Sequence, residues 1–148
     1  MEIHTQYFGP VSCSEKELIH FADGLFGFTH LKYYVPLAFH DNSDTLICLQ
    51  STEDFNISFI LMNPFQLYED YMPVLSPEDK KRLRVTHKEY EISYYTICVI
   101  RESMDESTVN LKCPVAVNIK TREARQVILD NPLYQFRHLI KDFAKKGD

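Results

Sequence analysis

The chain has 148 residues, is 45% hydrophobic and carries a formal charge of −5, a balance that suits one globular domain. No apolar run approaches the roughly 20 residues of a membrane-spanning helix, and Met1-Glu2-Ile3-His4 lacks the basic and apolar regions of a signal peptide, so a cytoplasmic protein is expected. Residues 1–107 hold 17 acidic and 8 basic side chains, whereas 108–148 hold 4 and 8; such an acidic body repels phosphate backbones, disfavouring direct nucleic-acid binding and favouring a basic protein partner.

In chain order, Ile3, Thr5 and Tyr7 alternate with His4 and Gln6, the period of a strand, which stops at Gly9-Pro10. Val11 to Cys13 forms a short return. Ser14 and Glu17 have the form of a capping box, but Leu18 to Phe21 reaches Gly24 too soon for an ordinary helix, so a turn into a short strand is predicted. Gly24 and Gly27 are expected at positive φ, with Phe26 and Phe28 plugging the core beneath them. Lys32 to Phe39 reads as a strand that Pro36 places at an edge or bulge. Asp41-Asn42-Ser43-Asp44 is a turn, Leu46 to Leu49 a buried strand, and Ile57 to Met62 the second arm of a hairpin ended by Asn63-Pro64.

Phe65 to Tyr71 mixes aromatics and acids without a clean period. Ser76-Pro77-Glu78-Asp79 is a helix start, with Ser as N-cap and acids facing the dipole, for a helix of about Pro77 to Arg84. Ile92 to Ile100, rich in β-branched and aromatic residues, reads as a central strand. Val109, Leu111, Cys113, Val115 and Val117 then fall at every second residue, and Gln126 to Leu129 resumes the apolar pattern after Lys120-Thr121-Arg122. Thr108–Asn118 is therefore expected to pair antiparallel with Ala124–Leu129, with Pro114 marking an edge or bulge. Asp130-Asn131-Pro132 opens a second helix at about 132–146, with Leu133, Phe136, Leu139, Ile140 and Phe143 on one face. The pattern as a whole predicts a mainly β fold: one domain over 1–148, an antiparallel β-barrel-like body with two short helices.

Sites for chemistry are sparse. The histidines at 4, 20, 30, 40, 87 and 138 show no metal-ligand spacing, and Cys13, Cys48, Cys98 and Cys113 form no Cys-x-x-Cys pair, so free and mostly buried thiols are expected. The acidic pairs Glu53-Asp54, Glu69-Asp70, Glu78-Asp79 and Asp105-Glu106 lie in predicted turns or helix starts and read as solvated surface. No phosphate-binding, dinucleotide or nucleophile-elbow motif occurs. No metal, cofactor or catalytic residue is expected.

Three motifs, in order, carry a resemblance. Thr108-Val-Asn-Leu-Lys-Cys-Pro-Val-Ala-Val-Asn118, followed by Lys120-Thr-Arg122 and Gln126-Val-Ile-Leu129, is similar to the signature region of the FliW flagellar assembly factors. Phe21-x-x-Gly24-x-x-Gly27-Phe28 resembles that family's N-terminal element, and Leu49-Gln-Ser51 through Asn63-Pro64 resembles its middle block. Cys113, where a small apolar residue is usual, and Met72, where an acid is frequent, depart from the pattern. The resemblance implies a β-barrel and a non-enzymatic regulator. Such a regulator binds flagellin and, when free of it, binds the RNA-binding repressor CsrA and prevents it from repressing flagellin translation. A monomer is expected in the free state.

The candidate partner-binding residues are Asn63, Pro64, Phe65, Tyr68, Glu69, Asp70 and Tyr71, with Tyr68 and Tyr71 as anchors and Glu69 and Asp70 as a charged rim. The competing account of this segment is a packed loop covering a barrel mouth. The competing account of the whole chain is a small barrel that binds a ligand or does chemistry in its mouth. Whether the interior is filled by side chains or holds a polar cavity separates the two.

Overall fold

The computed structural model describes residues 1–39, 46–86 and 91–143. Its strands are β1 (Glu2–Thr5), β2 (Gly9–Ser12), β3 (Ile19–Phe21), β4 (Tyr33–Ala38), β5 (Leu46–Ser51), β6 (Ser58–Met62), β7 (Ile92–Val99), β8 (Thr108–Val109), β9 (Val115–Asn118), β10 (Glu123–Gln126) and β11 (His138–Leu139). Two short helices, α1 (Pro64–Leu67) and α2 (Pro77–Arg82), join them. Seven strands close a barrel in the order β3-β4-β5-β6-β7-β9-β10, and β10 returns to β3. The mainly β, barrel-like architecture expected from the sequence is what the chain adopts.

Closure depends on β7. Its first half, Ile92 to Tyr95, pairs with β9, while Cys98 and Val99 pair with β8, to which β11 is added outside the ring. Every pairing in the ring is antiparallel except β10–β3, which is parallel at Glu123↔His20 and Ala124↔Phe21.

Alternation along the strands builds three apolar layers. Ile19, Phe21, Tyr34, Leu49, Leu61, Val115, Val117 and Ala124 point inward and fill the barrel. The opposite parity of β7 and β9, through Ile92, Cys98 and Ala116, meets Tyr71, Leu75, Leu83, Val127, Leu129 and Tyr134 in a second core outside the ring. On β4, Val35 lies under Ile3 and Cys13 of the β1–β2 hairpin. All four cysteines are free and buried.

Several local expectations hold for the stated reasons. Ser14 and Glu17 form a capping box on a single 3₁₀ turn before β3. Gly24 and Gly27 take φ of 68° and 85°. Pro36 sits opposite Leu49 on β4, beyond the two residues of β4 that β3 reaches. Ser76 caps α2 through Asp79 N at 3.0 Å. That helix stops at Arg82, two residues short of the expected Arg84, because Arg84 turns to a φ of 56° and Val85 N reaches back to Lys80 O.

Other expectations are corrected. Thr108–Asn118 is not one strand: the Asn110 side chain accepts a hydrogen bond from Cys113 N at 2.9 Å, and this turn with Pro114 separates β8 from β9. The hairpin survives in β9–β10, where Val117, Ala116 and Val115 face Ala124, Arg125 and Gln126. Phe26 is 49% exposed, so only Phe28 of that pair joins the core. The helix expected over about 132–146 is absent from its described part, 132–143. Lys112 N takes Gln135 O, and Ile140 N takes Ser107 O, so sheet-like contacts replace helical ones. A two-residue strand and a 3₁₀ turn follow, and Leu133, expected on the buried face, is 72% exposed. The second short helix is α1 instead, at Asn63-Pro64. The turn predicted over 41–44 and the last residues of the expected helix, 144–146, lie outside the described residues.

Candidate functional site

The segment singled out as a partner surface begins where β6 ends. Asn63 accepts from Phe65 N at 3.0 Å and Pro64 supplies a pre-set φ at the first helical position, so the chain leaves β6 in one turn of helix. This turn sets the Phe65 ring, 39% exposed, 5.9 Å from Tyr71 and 6.3 Å from Tyr94. Tyr68 is half-buried and packs 5.4 Å from Phe143 of the C-terminal segment. Glu69 and Asp70 are exposed at the tip.

Tyr71 is a core residue and not a surface anchor. It is 4% exposed, its hydroxyl donates to Leu111 O at 2.7 Å, and its ring lies 4.8 Å from Tyr134. Burial, with Tyr134 and Tyr94 adding to it, raises its pKa far above the ordinary tyrosine range. Pro64 is also buried. The surface that remains is Phe65, Tyr68, Glu69 and Asp70, and exposed Met72 extends it; Met72 N donates to Tyr134 OH at 2.8 Å. In the sequence Met72 stands out only as a departure from the family pattern, at a position where an acid is frequent.

The barrel interior is apolar and nearly full. Among the described residues a void of about 120 Å³ lies inside it, walled mainly by residues such as Phe21, Leu49, Leu61, Val115 and Val117. That is well below the roughly 300 Å³ at which small-molecule sites begin. Within the barrel, Tyr34 is fully buried, its hydroxyl finds no hydrogen-bond partner among the described residues, and burial followed by the nearby Glu53 pushes its pKa up to about 12. Burial likewise raises the thiols of Cys48 and Cys113, and that of Cys98 to about 12, so these thiols are poor nucleophiles. Among the described residues no group of three His, Cys, Asp or Glu side chains is placed to hold a metal ion. No described helix is long and apolar enough to cross a membrane.

Charged contacts hold the outer elements to the barrel. Arg125 on β10 donates to Asp79 of α2 at 2.9 Å and to Asp23 in the bend after β3. Arg122, at φ 62°, donates to the carbonyls of Leu18 and Glu17, and His20 lies 3.1 Å from Glu123. These side chains are engaged in structure.

The comparisons with known proteins agree with one another. The family model described as FliW protein matches residues 2–140. A flagellar assembly factor FliW from Anoxybacillus flavithermus is 34% identical over 140 residues, spanning 95% of this chain and 94% of its own. One from Ruminiclostridium cellulolyticum is 32% identical over 148 residues, spanning 100% and 99%. A crystal structure of the flagellar assembly factor FliW superposes with a TM-score of 0.87 at 30% identity, covering 95% of this chain and 96% of that one. The relatives are named as assembly factors and not as enzymes. With motifs, barrel and full-length similarity all in agreement, the chain belongs to the FliW protein family.

Proposed function

We propose that this chain is a cytoplasmic, non-enzymatic flagellar assembly regulator that binds flagellin and, when flagellin is scarce, binds CsrA and relieves its repression of flagellin translation. The observation that carries this reading is the family match, continuous over residues 2–140. Packing of the barrel interior counts against a ligand held inside the barrel, because a void of about 120 Å³ has no room for an ordinary metabolite. The acidic balance of residues 1–107 suits a partner with basic, RNA-contacting surface.

In this reading Phe65 and Tyr68 bury their rings against the partner while Glu69 and Asp70 steer its approach. Asn63 and Pro64 serve by fixing the turn that presents them. Binding two proteins in alternation makes the free concentration of one report on the other, so flagellin level sets how much CsrA is sequestered.

The test is calorimetric titration of the purified chain with flagellin and with CsrA, for the natural sequence and for Phe65→Ala and Tyr68→Ala. An anchor ring contributes roughly 2 kcal/mol or more, so at least one variant loses about thirtyfold in affinity while keeping its melting transition. Unchanged affinity of both folded variants for both partners would remove this surface from the account.

A further inference from the structure

Strand β10 ends at Gln126, yet its ladder toward the β9 side continues: Val127 N donates to Pro114 O at 3.0 Å and Leu129 N to Lys112 O at 2.9 Å. These bonds direct the main-chain groups of residues 127 and 129 to one side. By the alternation of an extended chain, those of Ile128 and Asp130 face the other. On that other side β3 accompanies β10 only at Glu123 and Ala124 before leaving into the bend at Ala22-Asp23. Among the described residues no hydrogen bond engages the N–H or C=O of Ile128 or Asp130. The result is a short open sheet edge on a closed barrel.

A groove of about 250 Å³ runs along this edge, lined by Asp23, Gly24, Phe26, Arg125, Gln126 and Ile128. Phe26 and Ile128 are 49% and 59% exposed. Ile128 belongs to the family-like Gln126-Val-Ile-Leu129 motif, Phe26 lies between Gly24 and Gly27, and neither serves a core. Their separation is fixed, because Phe26 N donates to the Gln126 side chain at 2.9 Å and Gly24 is pressed against the backbone of Thr29. Asp130, exposed at the end of this edge, forms no ion pair among the described residues, while Asp23, Glu78 and Asp79 pair with Arg82 and Arg125. Asp23 remains half-exposed.

We propose that the Ile128–Asp130 edge is a docking site for an extended, basic segment of a partner protein, which adds to the sheet as a strand. The incoming backbone satisfies the open groups of Ile128 and Asp130, an apolar side chain enters between Phe26 and Ile128, and a Lys or Arg side chain meets Asp23 or Asp130. A helix would leave the open backbone groups unmet, and an acidic or nucleic-acid segment would be repelled. This site is distinct from Phe65–Asp70 and does not depend on it.

The probe is a six-residue peptide of alternating lysine and valine, followed by backbone amide spectra and hydrogen exchange of the intact chain. In the free chain the amides of Ile128 and Asp130 exchange freely; with the peptide they shift and gain about tenfold protection or more. Ile128→Lys, an exposed change that leaves the melting transition in place, weakens binding by about tenfold or more. A fully N-methylated peptide of the same sequence, and one with glutamate for lysine, do not bind. Four results would overturn the proposal: amides already protected in the free chain, shifts centred elsewhere, undiminished binding by Ile128→Lys, or undiminished binding of the N-methylated peptide.

Discussion

Replacing Tyr71 with phenylalanine separates packing from partner contact at the position where the two readings differ most. The hydroxyl donates to Leu111 O at 2.7 Å inside the second core, and the ring is 4% exposed. Phenylalanine keeps the ring against Phe65 and Tyr134 but strands the Leu111 carbonyl, which no water can reach. Removing one partner of a buried hydrogen bond costs about 1–2 kcal/mol. For a chain of this length each kcal/mol lowers the melting temperature by about 2–4 °C, so a fall of about 2–8 °C is expected. Tyr71→Ala would add a cavity and cost about 3–5 kcal/mol, enough to confuse unfolding with lost binding. Urea titration of Tyr71→Phe gives the stability change, and calorimetry against flagellin and CsrA gives the affinity, expected to stay within about twofold of the natural chain. If stability were unchanged and affinity fell tenfold, the hydroxyl would be a contact group and the core assignment would be wrong.

Gly24→Ala should destabilise more than Tyr71→Phe, by about 2 kcal/mol or more, because a Cβ there would lie 2.5 Å from Thr29 Cα at a φ of 68°; a urea midpoint equal to that of the natural chain would contradict this. Burial lowers the pKa of His138, with Asp142 partly opposing, and its Nε2 accepts from Gln135 N at 2.8 Å. The unfolded chain therefore takes up this proton first, so stability present above about pH 6.5 declines as pH falls below it. His138→Gln, which keeps an acceptor without titrating, should flatten that decline in urea midpoints measured from neutral to mildly acidic pH; an unaltered slope would exclude His138 as its source. Glu69→Lys with Asp70→Lys should slow association with a basic partner and weaken its salt dependence, leaving dissociation largely unaltered. Stopped-flow rates indifferent to the double change would mean that the tip carries no steering field.

What the sequence could show was whatever local chemistry decides. Alternation at Ile3 and Thr5, the apolar run Leu46–Leu49, the β-branched and aromatic run Ile92–Ile100, the Ser76 cap and the positive φ of Gly24 and Gly27 depend on neighbours within a few residues and were legible. Tyr7, in contrast, expected in the first strand, is exposed in the turn after β1, and Gly9-Pro10, expected as its stop, opens β2. The parallel β10–β3 pair that closes the ring was not, because strand partners 100 residues apart leave no local mark. Competition from distant backbone groups also decided the C-terminal segment. Leu133, Phe136, Leu139, Ile140 and Phe143 have helical spacing, yet Lys112 N and Ser107 O capture the main chain first. In the candidate surface, composition located the segment but could not assign its rings. Phe65 and Tyr71 are six residues apart in an irregular stretch, and only the position of Leu111 O explains why one is presented and the other buried. Phe26 went astray for the same reason, since parity has no meaning within a bend.

The proposed function is an exchange of two protein partners on one small barrel. Its most direct test is a competition titration in which the purified chain is saturated with CsrA and flagellin is then added, with complexes resolved by light scattering after size exclusion. A stable complex with each protein alone and release of CsrA as flagellin is added are expected. A folded chain that binds neither protein, or that holds both at once with undiminished affinity, would contradict it.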